Sequence, residues 1–140
     1  MKPPKKFELN FVLAGYSRRF NVDVDDSVPR DHPAYEILQH FDGLHIHPNL
    51  QSGIECAPAD IAFQLINSIP QLAAEWQTRL ETSLIGIALV AGGNDQLWVS
   101  TNNKFYMTSN ETKIFGEIGD SFDEVIENLL EGRKLRELEA

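Results

Sequence analysis

Between residues 84 and 132 the apolar positions fall into four short runs and then one longer stretch at helical spacing. Residues 84–90, 96–101, 104–109 and 113–118 are apolar-rich and bounded by turn residues, which predicts four strands. Gly92-Gly93-Asn94-Asp95 and Asn102-Asn103 lie between them and tolerate the positive φ that tight hairpins need. The final stretch predicts a sharply bounded helix. Ser121 and Glu124 form a capping box, Phe122, Val125, Ile126, Leu129 and Leu130 line its inner face, and Gly132 ends it.

Upstream the pattern is less regular. Residues 7–14 form an apolar segment closed by Gly15, suited to a helix or an edge strand. Arg18 and Arg19 lead into an alternating run, 20–24, that predicts an extended strand, and Asp25-Asp26-Ser27 with Pro29 mark a loop. Asp31 or His32 can cap the next helix, Pro33 suits its first turn, and Gly43 is its terminator. Ala34, Ile37, Leu38 and Phe41 share one face of it. Residues 44–47 alternate as a strand, with 53–57 as its partner across a Pro48-Asn49 turn. A helical region is predicted from about 60 to 80. Pro70 divides it and Ser68 caps the second piece, whose buried stripe is Leu72, Ala73, Trp76 and Leu80.

The expected fold is α+β: a mainly antiparallel meander sheet flanked by helices, in one domain over residues 1–140. Within it, 1–83 is a helical and extended part, 84–132 the meander with its closing helix, and 133–140 a fraying tail. A length of 140 residues suits a single core, and 42% hydrophobic with 24% charged residues excludes a disordered or fibrous chain.

The single cysteine, Cys56, excludes an internal disulfide framework and fits a reducing compartment. The longest uncharged apolar run, 84–91, is far shorter than the ~20 residues a membrane-spanning helix needs. Lys2, Lys5 and Lys6 look like the start of a signal peptide, but Glu8 and Asn10 interrupt the apolar segment that follows. A cytoplasmic protein is expected, with no membrane partner, and the Asn110-Glu111-Thr112 sequon then has no meaning. A net charge of −9 argues against nucleic acid as a direct ligand and suits a basic protein partner, or solubility alone.

Candidate chemistry is sparse. Glu117, Asp120, Asp123, Glu124, Glu127 and Glu131 gather six carboxylates in fifteen residues. They can imitate a phosphate backbone against a basic cleft. Alternatively, Asp123 and Glu124 complement the helix N-terminus and the others form a solvated face. Asp23, Asp25, Asp26 and Asp31 make a second acidic strip with the same two readings. His45 and His47, with His32, His40 and Cys56 nearby in sequence, carry metal-ligand types, yet no paired ligand motif supports a site. Cys56 has no nameable orienting or oxyanion-stabilising group, and Gly92-Gly93 lacks the Lys-Ser or Lys-Thr of a phosphate loop. Trp98 opposes Leu97 and Val99 on its strand, and Tyr106 opposes Phe105 and Met107. If one sheet face is bare they are exposed partner anchors; if helices cover both faces they are packed.

Three segments together resemble a known group. They are Ala14-Gly15-Tyr16 with Arg18-Arg19 and Val22; the helix end Ile37-Leu38-Gln39-His40-Phe41-Asp42-Gly43-Leu44; and Leu97-Trp98-Val99, Asn103-Lys104-Phe105-Tyr106, Gly116 and Leu129-Leu130-Glu131-Gly132. In order and spacing the chain resembles the SUKH superfamily, and most closely the third of its immunity-protein subfamilies, over about residues 13–132. It departs from the family's Pro-x-Gly step in the first meander strand, having Ile87-Ala88-Leu89-Val90. The resemblance implies an α+β domain that binds and neutralises a cognate polymorphic toxin, often a basic nuclease or deaminase, by stoichiometric occlusion. It implies no enzyme activity and no cofactor or metal. From the charge clusters and the strand alternation, not from the resemblance, the partner-binding residues are expected among Asp23, Asp25, Asp26, Glu117, Asp120, Asp123, Glu124, Glu127, Trp98 and Tyr106. Relatives of the same fold also act as regulatory or scaffold modules, which makes a protein-binding role without a toxin the alternative.

Overall fold

A computed structural model describes residues 1–18, 21–49 and 52–139. Seven antiparallel strands follow one another in sheet order as an unbroken meander: β1 (His45–Ile46), β2 (Ile61–Ile66), β3 (Leu84–Val90), β4 (Asp95–Ser100), β5 (Phe105–Ser109), β6 (Phe115–Gly119) and β7 (Arg136–Glu137). Among the described residues four α-helices pack on it: α1 (Glu8–Leu13), α2 (Pro33–Phe41), α3 (Gln71–Arg79) and α4 (Phe122–Glu131).

The strands predicted between 84 and 118 are all present, each within about two residues. Their hairpin between β3 and β4 turns through Ala91, Gly92 and Gly93, all at positive φ. Period-two alternation then sends side chains to opposite faces. Leu97, Val99, Phe105 and Met107 face one core, while Trp98, Tyr106 and Phe115 face another.

The larger core lies under α1, α2 and α4. Phe41 is its centre, stacked on Phe122 at 5.2 Å and in edge contact with Phe11 at 5.3 Å. On the opposite face α3 lays Ala73 and Trp76 over the sheet, and Trp76 stacks on Phe115, which stacks in turn on Tyr106. The stripe Leu72, Ala73, Trp76, Leu80 faces the sheet as its spacing requires.

Five expectations are overturned. Residues 61–66 are a strand, not a helix; Ala62 and Phe63 pair with Leu89 and Ala88, and sheet pairing on both sides overrides the local pattern. β1 therefore pairs with β2, and residues 53–57 do not form its partner. The 21–24 segment is not a strand, although Val22 N–H donates to the Gln39 carbonyl; Arg19 and Phe20, at its head, lie outside the described residues. The tail does not fray through residue 139, since Arg136 and Glu137 pair with Glu117 and Gly116 as the last strand. Helix α3 starts after Pro70 with no side-chain cap, so Ser68 does not cap it.

Residues 53–59 instead close the end of α4. The amides of Ile54, Glu55, Cys56 and Ala59 donate to the carbonyls of Glu131, Gly132, Gly132 and Leu129 at 2.8–2.9 Å. These are the carbonyls a helix leaves without partners. Gly132 is left-handed at φ 74°, and a Cβ there would collide with the Cys56 carbonyl oxygen and lie 2.8 Å from Gly53 Cα. Replacing Gly132 with Ala is expected to cost about 2 kcal/mol or more. Urea unfolding checks this, and an unchanged midpoint would remove the close approach from the account.

Candidate partner-binding surfaces

Five inward apolar positions on α4 leave Asp123, Glu124, Glu127 and Glu131 to its outer side. Ser121 Oγ accepts the Glu124 amide at 3.2 Å, and Asp123 and Glu124 sit in the first turn, where the helix dipole favours negative charge. Both are exposed, as is Asp120 in the turn before the helix.

One turn on, the acids are engaged. Lys6 Nζ lies 2.7 Å from Glu131 and 3.4 Å from Glu127, bringing the N-terminal segment against α4. The Lys6 hydrogen bond holds the Glu131 carboxyl below its ordinary range despite opposing desolvation, with help from the charges of Lys6 and Arg133. The same bond pushes the Lys6 ammonium up, and desolvation only partly opposes it. Glu131 Oε1 is buried and accepts no hydrogen bond among the described residues.

Glu117, on β6, pairs with Arg136 of β7. A shallow depression of about 290 Å³ lies there, where Glu117, Asp120 and Glu124 face Lys134 and Arg136. The ordered tail thus partly neutralises the strip. Its unpaired carboxylates are Asp120, Asp123 and Glu124, which make no ion pair among the described residues.

The second strip stays open. Asp23, Asp25, Asp26 and Asp31 are exposed on the loop before α2, which Val28 anchors in the main core. Asp25 accepts the Ser27 amide at 2.9 Å, and this bond lowers its carboxyl.

Trp98 and Tyr106 are 1% and 5% exposed, so their reading as surface anchors is corrected. Helix α3 covers that sheet face, and Trp98 Nε1 donates to Thr108 Oγ1 at 3.0 Å. Burial raises the Tyr106 phenol, with Asp120 adding to it and Arg136 opposing. The histidines have structural partners as well. His32 caps α2, its Nδ1 accepting the Ala34 amide at 3.0 Å and its Nε2 donating to the Ser83 carbonyl at 2.9 Å. His45 meets Asp60 at 2.6 Å, and Asp60 also accepts the Gly92 amide, tying β1 and β2 to the first hairpin. Burial alone would raise Asp60, but these two partners bring it below the usual carboxylate range. No group of three or more His, Cys, Asp or Glu is placed to hold a metal among the described residues. Cys56 is exposed, and no helix among those described is long and apolar enough to cross a membrane.

Sequence reading missed the outer side of α1. Phe11 points into the core, yet Leu9, Val12 and Leu13 are exposed. The available signal was the number of large apolar residues between 7 and 13, spread over more of the helix than one core contact can bury.

The SUKH-3 immunity protein family matches residues 29–132, most of the chain, and the chain belongs to that family. No curated protein and no solved structure matches it. The family is one of immunity proteins, which are not enzymes, and membership implies a cognate toxin as partner.

The Lys6–Glu131 contact has a pH signature. Because the Glu131 carboxyl is depressed on folding, its stabilisation is complete above the ordinary value of 4.5 and is lost as pH falls through the folded value. Lys6, raised on folding, keeps its share below the ordinary 10.5 and loses it only as pH rises beyond that. Replacing Lys6 with Met should therefore flatten the acid limb of stability against pH, read from urea midpoints between pH 3 and 7. An acid limb identical to that of the parent protein would contradict the pairing.

Proposed function

We propose that this SUKH-3 immunity protein acts in the cytoplasm of the producing cell as a stoichiometric inhibitor of one toxin domain, a basic nuclease or deaminase. The exposed carboxylates that make no ion pair among the described residues support this reading above all else. Asp120, Asp123 and Glu124 at the head of α4, with Asp23 and Asp26 on the loop before α2, add to a chain of net charge −9. Their negative potential attracts a cationic cleft evolved for a phosphate backbone, speeds encounter and sets orientation. Glu117 and Glu127, already paired with Arg136 and Lys6, contribute framework more than free charge. An exposed, unpaired Cys56 fits a reducing compartment.

Inhibition by occlusion needs no turnover. The inhibitor has only to cover the toxin's substrate cleft, and the acidic rim mainly raises the association rate. Co-expression with the toxin domain encoded beside this gene is expected to restore growth, and the two chains should copurify at one to one. Reversing Asp120, Asp123 and Glu124 to Lys together should slow association by about tenfold to a hundredfold at low salt and flatten its salt dependence. Stopped-flow or surface-based kinetics at two ionic strengths read both quantities. An unchanged rate and salt slope would exclude the α4 strip, and the same test on Asp23 and Asp26 would judge the loop. Failure of the parent protein to bind or neutralise the toxin would favour a regulatory or scaffold role for the same fold.

A further inference from the structure

We propose that the outward side of α1, formed by Leu9, Val12 and Leu13, is the apolar anchor on which the cognate toxin seats, with the acidic outer side of α4 as its charged rim. This rests on the immunity reading above and names the surface that does the holding.

Leu9 is 67% exposed, Val12 39% and Leu13 78%, and the other large hydrophobics as exposed among the described residues are Ile54 and Ile69. Three such side chains on a helix of six residues, at spacings of three and four, form one continuous stripe. Exposed apolar groups clustered inside a polar border mark contact sites, whereas single ones do not.

The stripe is held rigidly. Asn10, between its members, donates from Nδ2 to the His47 carbonyl at 2.9 Å and to Asn49 Oδ1 at 3.1 Å. Phe11 is fully buried against Phe41 and Phe63. Lys6, three residues before Leu9, is bonded to Glu127 and Glu131. A helix fixed at its middle and just before its start presents its leucines with little ordering left to lose on binding.

The Lys6 bridge also decides what covers the stripe. It brings the segment that leads into α1 against the outer side of α4, whose next turn toward the N-terminus carries Asp123 and Glu124. Beside Val12 and Tyr16, Lys2 and Lys5 border a hollow of about 550 Å³ that Glu8 also lines, so its rim keeps a net positive charge. The fitting partner is a protein surface with an apolar contact, basic groups toward α4 and an acidic group toward Lys2 and Lys5. An apolar centre inside a charged rim is the common anatomy of a specific interface. A second copy of this chain is the weaker occupant, because each copy brings a net charge of −9. The helix also precedes the family-matched span of 29–132, so this contact sits on a part of the chain that the shared scaffold does not dictate.

The test uses the full chain and an inactivated form of the toxin domain encoded beside its gene. Leu9→Asp with Leu13→Asp is expected to weaken binding by about a hundredfold or more. Leu9→Gln with Leu13→Gln, which keeps helix propensity, should weaken it in the same direction. The Gln variant should unfold in urea at the parent midpoint, since neither side chain is buried, whereas the Asp variant should fall slightly below it, because Asp is a poorer helix former and Leu13 ends α1. Sedimentation velocity of the parent alone should give a monomer. Toxin binding that survives both substitutions overturns the inference while leaving the immunity reading standing. A parent dimer broken by the substitutions, with toxin affinity unchanged, assigns the stripe to self-association and also overturns it. A parent protein that binds no toxin removes the immunity reading and this inference together.

Discussion

Burial of both faces of a single meander sheet is the constraint from which the rest of the molecule follows. Alternation along β4 and β5 sends Leu97, Val99, Phe105 and Met107 one way and Trp98 and Tyr106 the other, and each set has helices to meet. With α1, α2 and α4 on one side and α3 on the other, no broad apolar sheet face remains bare among the described residues. The large aromatics are used internally, in the Phe41–Phe122 and Trp76–Phe115–Tyr106 stacks. Recognition is left to helix exteriors and loops, which is where the charge and the exposed leucines lie.

The ends of the chain matter more than their composition suggests. Residues 53–59 satisfy the last carbonyls of α4 through Gly132, Lys6 ties the N-terminal segment to Glu127 and Glu131, and β7 brings Arg136 to Glu117. Each of these contacts joins segments far apart in sequence and converges on α4 or its neighbouring strand. The same contacts redistribute charge: three of the six clustered carboxylates acquire cationic partners, and Asp120, Asp123 and Glu124 keep theirs open to solvent. The acidic surface available to a partner is thus narrower than the sequence cluster.

Legibility followed the locality of the signal. The strands after residue 84 and helix α4 could be read because alternation, turn residues and the Ser121 cap act within a few positions. Helix α2 was equally legible from His32, Pro33 and its apolar stripe. β2 was not, because a short, mostly apolar run such as Ile61–Ile66, interrupted by Gln64, suits helix or strand until its neighbours in the sheet are known. β7 carries almost no pattern, being two charged, exposed residues whose extended state is dictated by the edge of β6. At the candidate surface, the acids on the outer side of α4 could be inferred from helical spacing. Their pairing with Lys6 and Arg136 could not, nor could the burial of Trp98 and Tyr106, since both depend on which elements meet.

Amide hydrogen exchange of the protein, free and saturated with its inactivated toxin, tests most directly where recognition takes place. The account requires slowed exchange in residues 8–13 and in the first turns of α4, with α3 and the strands beneath it unaltered. Slowing confined to 71–79 and β4–β6, with residues 8–13 unaffected in a saturated complex, would contradict it.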